Sequence, residues 1–307
     1  MVPRQRVVVG PAQGGGRGEV RGARPVSTVI VGAGGQLGRA LRREFPGAVA
    51  LDRAALDVTD AAAVRNYRWA DVDVVLNAAA WTDVDAAEDP ANLEAVRAAN
   101  VDAVGHLARA VRTSGATLVH ISSEYVFDGR HDGPIPEDWP PNPLSVYGQS
   151  KADGDTQAGH VTKHYLVRTT WVVGDGGNFV RTMTGLADRG ASPTVVADQV
   201  GRPTFTADLA AGIRHLLETG APFGTYNITN DGEPASWADV AAAVFEARGR
   251  SGDDVGRVST AEYFADKPGA AARPLNSVLD LSKIKNAGFR PRNWSEALAG
   301  YLAANPA

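Results

Sequence analysis

From Val26 onward, short β-branched apolar runs alternate with Ala-, Leu- and Arg-rich stretches whose apolar positions recur at helical spacing. That alternation is the signature of repeated βα units around a parallel sheet. It predicts strands at residues 29–31, 48–51, 72–76, 117–121 and 165–168, with Ser122 and Ser123 just past the fourth. Between them it predicts helices over 36–45, 61–67, 93–114 and 146–158. The expected class is α/β, a doubly wound parallel sheet occupying residues 26–172. After Trp171 the pattern loosens, because Gly174, Gly176, Gly177, Pro193, Pro203, Pro222 and Pro234 punctuate shorter elements. A smaller C-terminal lobe over 173–307 is expected, some of its segments returning to the larger domain. Its Ala-rich helices, 207–218 and 237–247, read as packing elements without chemistry of their own.

Composition narrows the function by exclusion. The chain has 307 residues, 44% of them apolar, enough to fill the cores of about two domains. Against 31 basic side chains stand 35 acidic ones, so no global field holds a nucleic acid. No run approaches the ~18–20 apolar residues that span a bilayer, and no apolar signal core opens the chain. The expectation is a soluble, cytoplasmic protein without nucleic-acid or membrane partners. The absence of cysteine removes disulfides, a thiol nucleophile and thiolate metal sites. Residues 1–25 hold five arginines and six glycines with little apolar periodicity, which reads either as a flexible extension or as a start site placed too early.

The first predicted strand runs into Gly32-Ala33-Gly34-Gly35-Gln36-Leu37-Gly38 and then into a helix. Glycines at that spacing permit a tight turn and close backbone approach to a pyrophosphate, while the helix start offers unpaired N–H groups. A plain glycine turn is the alternative. Asp52 ends the second strand twenty residues after Gly32, where an acidic side chain meets an adenosine ribose in a Rossmann-type dinucleotide fold. Asp52 favours NADH by repelling a 2′-phosphate, whereas Arg53 and Arg39 offer such a phosphate a partner. The coenzyme choice is left open.

Tyr147 and Lys151 lie at i and i+4 on a predicted helix start, twenty-four residues or more after Ser123. An ammonium beside a phenol stabilises phenolate and lowers its pKa, preparing it to exchange a proton with a carbonyl or alcohol oxygen. A nearby serine hydroxyl orients the same oxygen. The expected catalytic set is Tyr147, Lys151 and Ser123.

With these motifs the chain resembles the extended short-chain dehydrogenase/reductases and, within them, the dTDP-4-dehydrorhamnose reductase family. The resemblance runs from Val26 to the C-terminus. It rests on Gly32 to Gly38, Asn77 to Glu88, Ser122 to Gly129, Tyr147 to Lys151, Arg168 to Trp171, Asn178-Phe179, Asp198 to Thr204 and Ala272 to Pro274. It implies NADPH-dependent, or NADH-dependent, reduction of the C4 ketone of dTDP-4-dehydro-β-L-rhamnose to dTDP-L-rhamnose. Tyr147 would give the proton, and Lys151 would lower its pKa and hold the nicotinamide ribose. Gly35, Gln36 and Leu37 would face the pyrophosphate, Asp52 the ribose, Asp57 and Val58 the adenine, and Ala80, Trp81 and Thr82 the cofactor groove. Ser123, Glu124, Trp171 and Arg273 would meet the substrate, Arg273 at its diphosphate. Ser123 and Glu124 stand where the family has threonine and aspartate. Some relatives form metal-bridged dimers through a glutamate at the position of Ala40, so no metal and a monomer or weak homodimer are expected. The alternatives are a reductase for another dTDP-deoxysugar and a non-catalytic binding subunit resembling the regulatory subunit of methionine adenosyltransferase.

Other clusters take plainer readings. Asp83, Asp85, Glu88 and Asp89 read as capping or surface carboxylates, and His106 and His120 as core or cofactor-domain residues. Trp69, Trp139, Trp237 and Trp294 read as packing residues.

Overall fold

The computed structural model describes residues 26–305, so the expected N-terminal extension, residues 1–25, lies outside it. Its strands in chain order are β1 (Thr28–Val31), β2 (Val49–Leu51), β3 (Val74–Asn77), β4 (Thr117–Ser123) and β5 (His164–Thr169), then β6 (Val172–Val173), β7 (Thr194–Val196), β8 (Val200–Gly201) and β9 (Thr204–Phe205), and finally β10 (Gly224–Asn227), β11 (Ala235–Ser236) and β12 (Gly256–Val258). Six of them form one parallel sheet in the order β10-β5-β4-β3-β1-β2. The chain leaves β1 for β2 on one side and then crosses to β3 on the other. The carboxyl ends of β1 and β3 therefore border the switch-point crevice where doubly wound sheets bind ligands.

Both faces of the sheet are covered, which is why its strands read as unbroken apolar runs. Alternation along β1 sends Val29 and Val31 to one face and Ile30 to the other. On the first face, α2 (Ala61–Asn66), α4 (Ala103–Ser114) and α5 (Val146–Gly159) bury Val64, Val104, Leu107, Val111 and Ala158. On the second, α1 (Gln36–Glu44), α7 (Thr206–Thr219) and α10 (Ser282–Asn286) bury Leu37, Leu41, Leu209, Ile213 and Ile284. Each of the valine, leucine and isoleucine side chains among them contributes about 1.5–3 kcal/mol by leaving water.

Three expectations need correction. Helix 207–218 was expected in the smaller lobe, yet α7 lies on the sheet, because its stripe of Leu209, Ile213 and Leu216 matches the face that Ile30 and Val167 expose. The single helix 93–114 is α3 (Leu93–Arg97), a π-helical turn over Ala98–Asp102, and then α4. Ser122 and Ser123 end β4 instead of following it, pairing in register with Arg168 and Thr169.

The remaining elements build a second core. Helices α6 (Phe179–Asp188), α8 (Trp237–Ala247) and α11 (Trp294–Ala304) gather Val180, Met183, Val244, Phe245 and Leu298 around Val195 and Phe205. A short helix, α9 (Thr260–Phe264), follows β12. A Ser236–Asp239 capping box fixes the start of α8 by satisfying two orphan N–H groups.

Candidate active site

The glycine turn occupies the switch-point crevice. Gly32 has φ 73°, and a Cβ there would lie 2.5 Å from the Ala79 nitrogen, so only glycine fits between β1 and β3. Gly38 packs so closely that a Cβ would be 2.7 Å from the Ala33 Cα. Gly35 caps α1 without a side chain and no acidic residue follows in the first turn, leaving those N–H groups for an anion. A cleft of about 480 Å³ extends from this turn past Asp52, Asp57 and Ala80. Asp52 accepts the Ala55 N–H at 2.9 Å, and Asp57 accepts from Thr59 and pairs with Arg53 at 3.2 Å. The hydrogen bond from Thr59 holds the Asp57 carboxyl below the usual range. Leu37 and Val58 are buried, Val58 still lining the cleft. Arg39 donates to the Gly34 carbonyl of the turn and to the Asp175 carbonyl, and Gln36 accepts the Gly174 N–H at 2.9 Å.

Beside the crevice, the start of α5 brings Tyr147 and Lys151 against the end of β4. Ser145 caps the helix by accepting the Gly148 N–H at 3.1 Å, and Glu88 accepts the Val146 N–H at 2.8 Å. Gly148 is required because a Cβ would strike the Tyr125 carbonyl. Tyr147, Lys151, Ser123 and Glu124 are all buried. Ser123 donates to Glu124 Oε2 at 2.7 Å. Lys151 donates to the Ile121 carbonyl at 2.8 Å.

Electrostatics differ from expectation at Tyr147. Burial, reinforced by the Glu124 carboxylate, pushes the hydroxyl up, and Ser123 only partly opposes this. Burial dominates, and the Lys151 ammonium donates to a carbonyl of β4. Burial brings Lys151 down to about 8, with Asp155 opposing, and raises Glu124 to about 7 against its bond to Ser123. His120 is held well below its ordinary value by burial and by Lys151.

Trp171 has φ 44° and stacks on Trp237 at 3.8 Å, placing the expected substrate residue at the entry to the second core. Arg273 does not project freely: it pairs with Asp85 at 2.7 Å, lies over the Phe264 ring and reaches Tyr125. Asp85 is thus an anchor of the C-terminal segment, while Asp83 and Asp89 accept local backbone N–H groups. Trp81 is half-buried and donates its ring N–H to the Asp83 carbonyl at 2.8 Å, and Thr82 is exposed; of this segment it is Ala80 that lines the cleft.

Two buried groups escaped sequence reading. Asn100, on the π turn, accepts the Trp81 N–H at 2.8 Å and donates to Ser150 at 2.9 Å, tying the segment after β3 to α5. Its signal was a polar break in the stripe of Val96, Val104 and Leu107. Asp155 faces Lys151 and pairs with Arg168 at 3.4 Å, and its signal was the i+4 spacing from Lys151.

The family model described as the RmlD substrate binding domain matches residues 26–306. A dTDP-4-dehydrorhamnose reductase of Streptomyces griseus is 42% identical over 288 residues, 88% of this chain and 91% of the relative. The spore coat polysaccharide biosynthesis protein SpsK of Bacillus subtilis (strain 168) is 38% identical over 283 residues, 89% of this chain and 96% of the relative. A crystal structure of dTDP-4-dehydrorhamnose reductase from Bacillus anthracis str. Ames, in complex with NADP, superposes with TM-score 0.84 at 32% identity, covering 91% of this chain and 99% of that one.

Proposed function

The chain belongs to the RmlD substrate binding domain family, and on that premise we propose that it is an NAD(P)H-dependent oxidoreductase reducing the C4 ketone of dTDP-4-dehydro-β-L-rhamnose to dTDP-L-rhamnose. The observation that carries this reading is the convergence of Tyr147 and Ser123 on one buried spot beside a glycine cradle. The cradle fits a dinucleotide: its glycine turn carries no side chain toward the cleft, and the start of α1 presents N–H groups without a side-chain cap. Gly32, Gly35, Gly38 and the backbone of Gln36 and Leu37 would hold the pyrophosphate, with Asp52 at the ribose, Asp57 and Val58 at the adenine, and Ala80, Trp81 and Thr82 along the groove.

When bound, NADPH supplies the hydride for the sugar C4. Tyr147 holds the proton that the C4 oxygen needs, and Ser123 orients that oxygen. Negative charge grows on it as the reaction proceeds, so donors fixed before the reaction, in a site that excludes water, stabilise the transition state more than the ketone. Lys151 donates to the Ile121 carbonyl and would present its charge to the nicotinamide ribose. Trp171, Glu124 and Arg273 would contact the sugar nucleotide.

Residues 26–172 would form the cofactor domain and 173–307 mainly the substrate lobe. The reading extends to a cytoplasmic monomer or weak homodimer that uses no metal and binds neither nucleic acid nor membrane. Its support is the balanced charge, the alanine at position 40 and the lack, among the described residues, of a helix long and apolar enough to cross a membrane. The test supplies coenzyme deuterated at nicotinamide C4 together with the keto sugar. Deuterium at C4 of dTDP-L-rhamnose is expected, and unlabelled or unreduced sugar would refute the reading.

A further inference from the structure

The loop between β6 and α6 is fastened to the glycine turn by one face of α1. Gln36 accepts the Gly174 N–H at 2.9 Å, and Arg39, three residues further along that face, reaches both segments at once. Its Nη1 donates to the Gly34 carbonyl and its Nη2 to the Asp175 carbonyl. Arg43 adds an ion pair to the Asp175 carboxylate at 2.6 Å. The loop is shaped for this contact: Gly176 has φ 102°, and a Cβ there would lie 3.0 Å from Arg39 Nη2. From the other side, Asn178 and Tyr301 donate to the Gly174 carbonyl at 2.7 and 2.9 Å.

We propose that Arg39 is a positioning residue that couples the coenzyme site to the sugar-nucleotide site. The inference rests on the reductase reading above. The Gly34–Gly35 peptide belongs to the turn that would hold the pyrophosphate, and both of its polar groups are engaged. Arg39 takes the carbonyl, and the N–H donates to the Gly32 carbonyl at 3.1 Å. Glycine backbone is loose by itself, so those bonds are what give this peptide one orientation. At the other end of the bridge, Asp175 lies four residues after Trp171, which would contact the sugar nucleotide.

Both terminal nitrogens of Arg39 are committed to backbone carbonyls, so the residue acts through the turn and the loop. A guanidinium spans the two carbonyls as a planar fork, which the point charge of an ammonium does not. A ligand that orders either segment therefore orders the other through Arg39, and the second ligand meets a segment already ordered. Linkage makes the gain in affinity equal in either order of binding.

Calorimetric titration of dTDP, with and without saturating NADPH, reads the coupling without turnover. In the wild-type protein NADPH should tighten dTDP binding about tenfold. Arg39→Met keeps the apolar stem and removes the fork, so the ratio of the two dTDP Kd values should fall to about one. Kd for NADPH should rise about tenfold in the same variant. Arg39→Lys should also lose most of the coupling, and it decides alone should Arg39→Met fail to fold. Arg43→Ala, which loses only the Asp175 carboxylate, should keep the wild-type ratio. A wild-type ratio of about one, a wild-type ratio retained in R39M or R39K, or the same loss in R43A as in R39M would each overturn the proposal. Weaker binding of both ligands with the ratio unchanged marks a merely structural arginine and overturns it too. Wild-type protein that binds both ligands without coupling refutes the role of Arg39 alone, whereas failure to bind NADPH or dTDP refutes the reductase reading as well.

Discussion

Asp155 and Arg168 form a buried ion pair beneath the active site, 3.4 Å apart with side chains 8% and 7% exposed. Arg168 also donates to the Glu137 carbonyl at 2.8 Å and lies over the Phe127 ring. Burial raises the Asp155 carboxyl and Arg168 opposes that most strongly, so removing the arginine strands the acid. Arg168→Met should destabilise the fold by about 3–5 kcal/mol in urea titration. Adding Asp155→Asn should restore part of the loss, because the stranded carboxylate is gone, while Lys151 loses the charge that faces it. Equal stability of the single and double variants would show that the pair is not the cause.

Tyr147→Phe removes the hydroxyl and leaves the ring packed edge-on against Tyr125, 5.3 Å between centroids. Steady-state kcat should fall about 10²–10⁴-fold, while NADPH affinity by fluorescence titration stays level. A variant that keeps its turnover would remove Tyr147 from the proton-donor role.

Coenzyme choice should respond to Asp52 and Arg53, which both line the cleft. Arg53 is 83% exposed and held only by Asp57, free to meet a 2′-phosphate. Arg53→Ala should shift the NADPH/NADH ratio of kcat/KM toward NADH by about tenfold, the worth of one charge-assisted hydrogen bond. Asp52→Ala should shift it the other way by removing a carboxylate. Unmoved ratios in both would place the ribose elsewhere.

Arg273 is held by Asp85 at 2.7 Å and backed by Phe264, a guanidinium with donors to spare for a diphosphate. Arg273→Ala should raise KM for the sugar nucleotide about 10–100-fold with a smaller effect on kcat. Unchanged KM would confine the residue to anchoring the C-terminal segment.

Local spacing made much of the fold readable. Runs such as Val29 to Val31 are buried on both faces, and the glycines from Gly32 to Gly38 sit where a turn must meet β3. Tyr147, Lys151 and Ser123 share one site for the same reason, since helix and strand periods fix their directions. Features set by distant partners were hidden. The π turn at Asn100 answers the backbone of Trp81, and the left-handed backbone of Trp171 accompanies its stacking on Trp237. An apolar stripe such as that of α7 does not say which core it will join. The raised pKa of Tyr147 depends on its burial and on Glu124, neither visible in an i, i+4 spacing.

The central claim is tested most directly by following the absorbance of NADPH and of NADH as purified protein meets enzymatically generated dTDP-4-dehydro-β-L-rhamnose, with the sugar product identified by NMR. Consumption of coenzyme at an ordinary enzymatic turnover of ~1–10³ s⁻¹, yielding dTDP-L-rhamnose, is the result this account requires. Folded protein that binds the coenzyme yet consumes none of it with this sugar would contradict it.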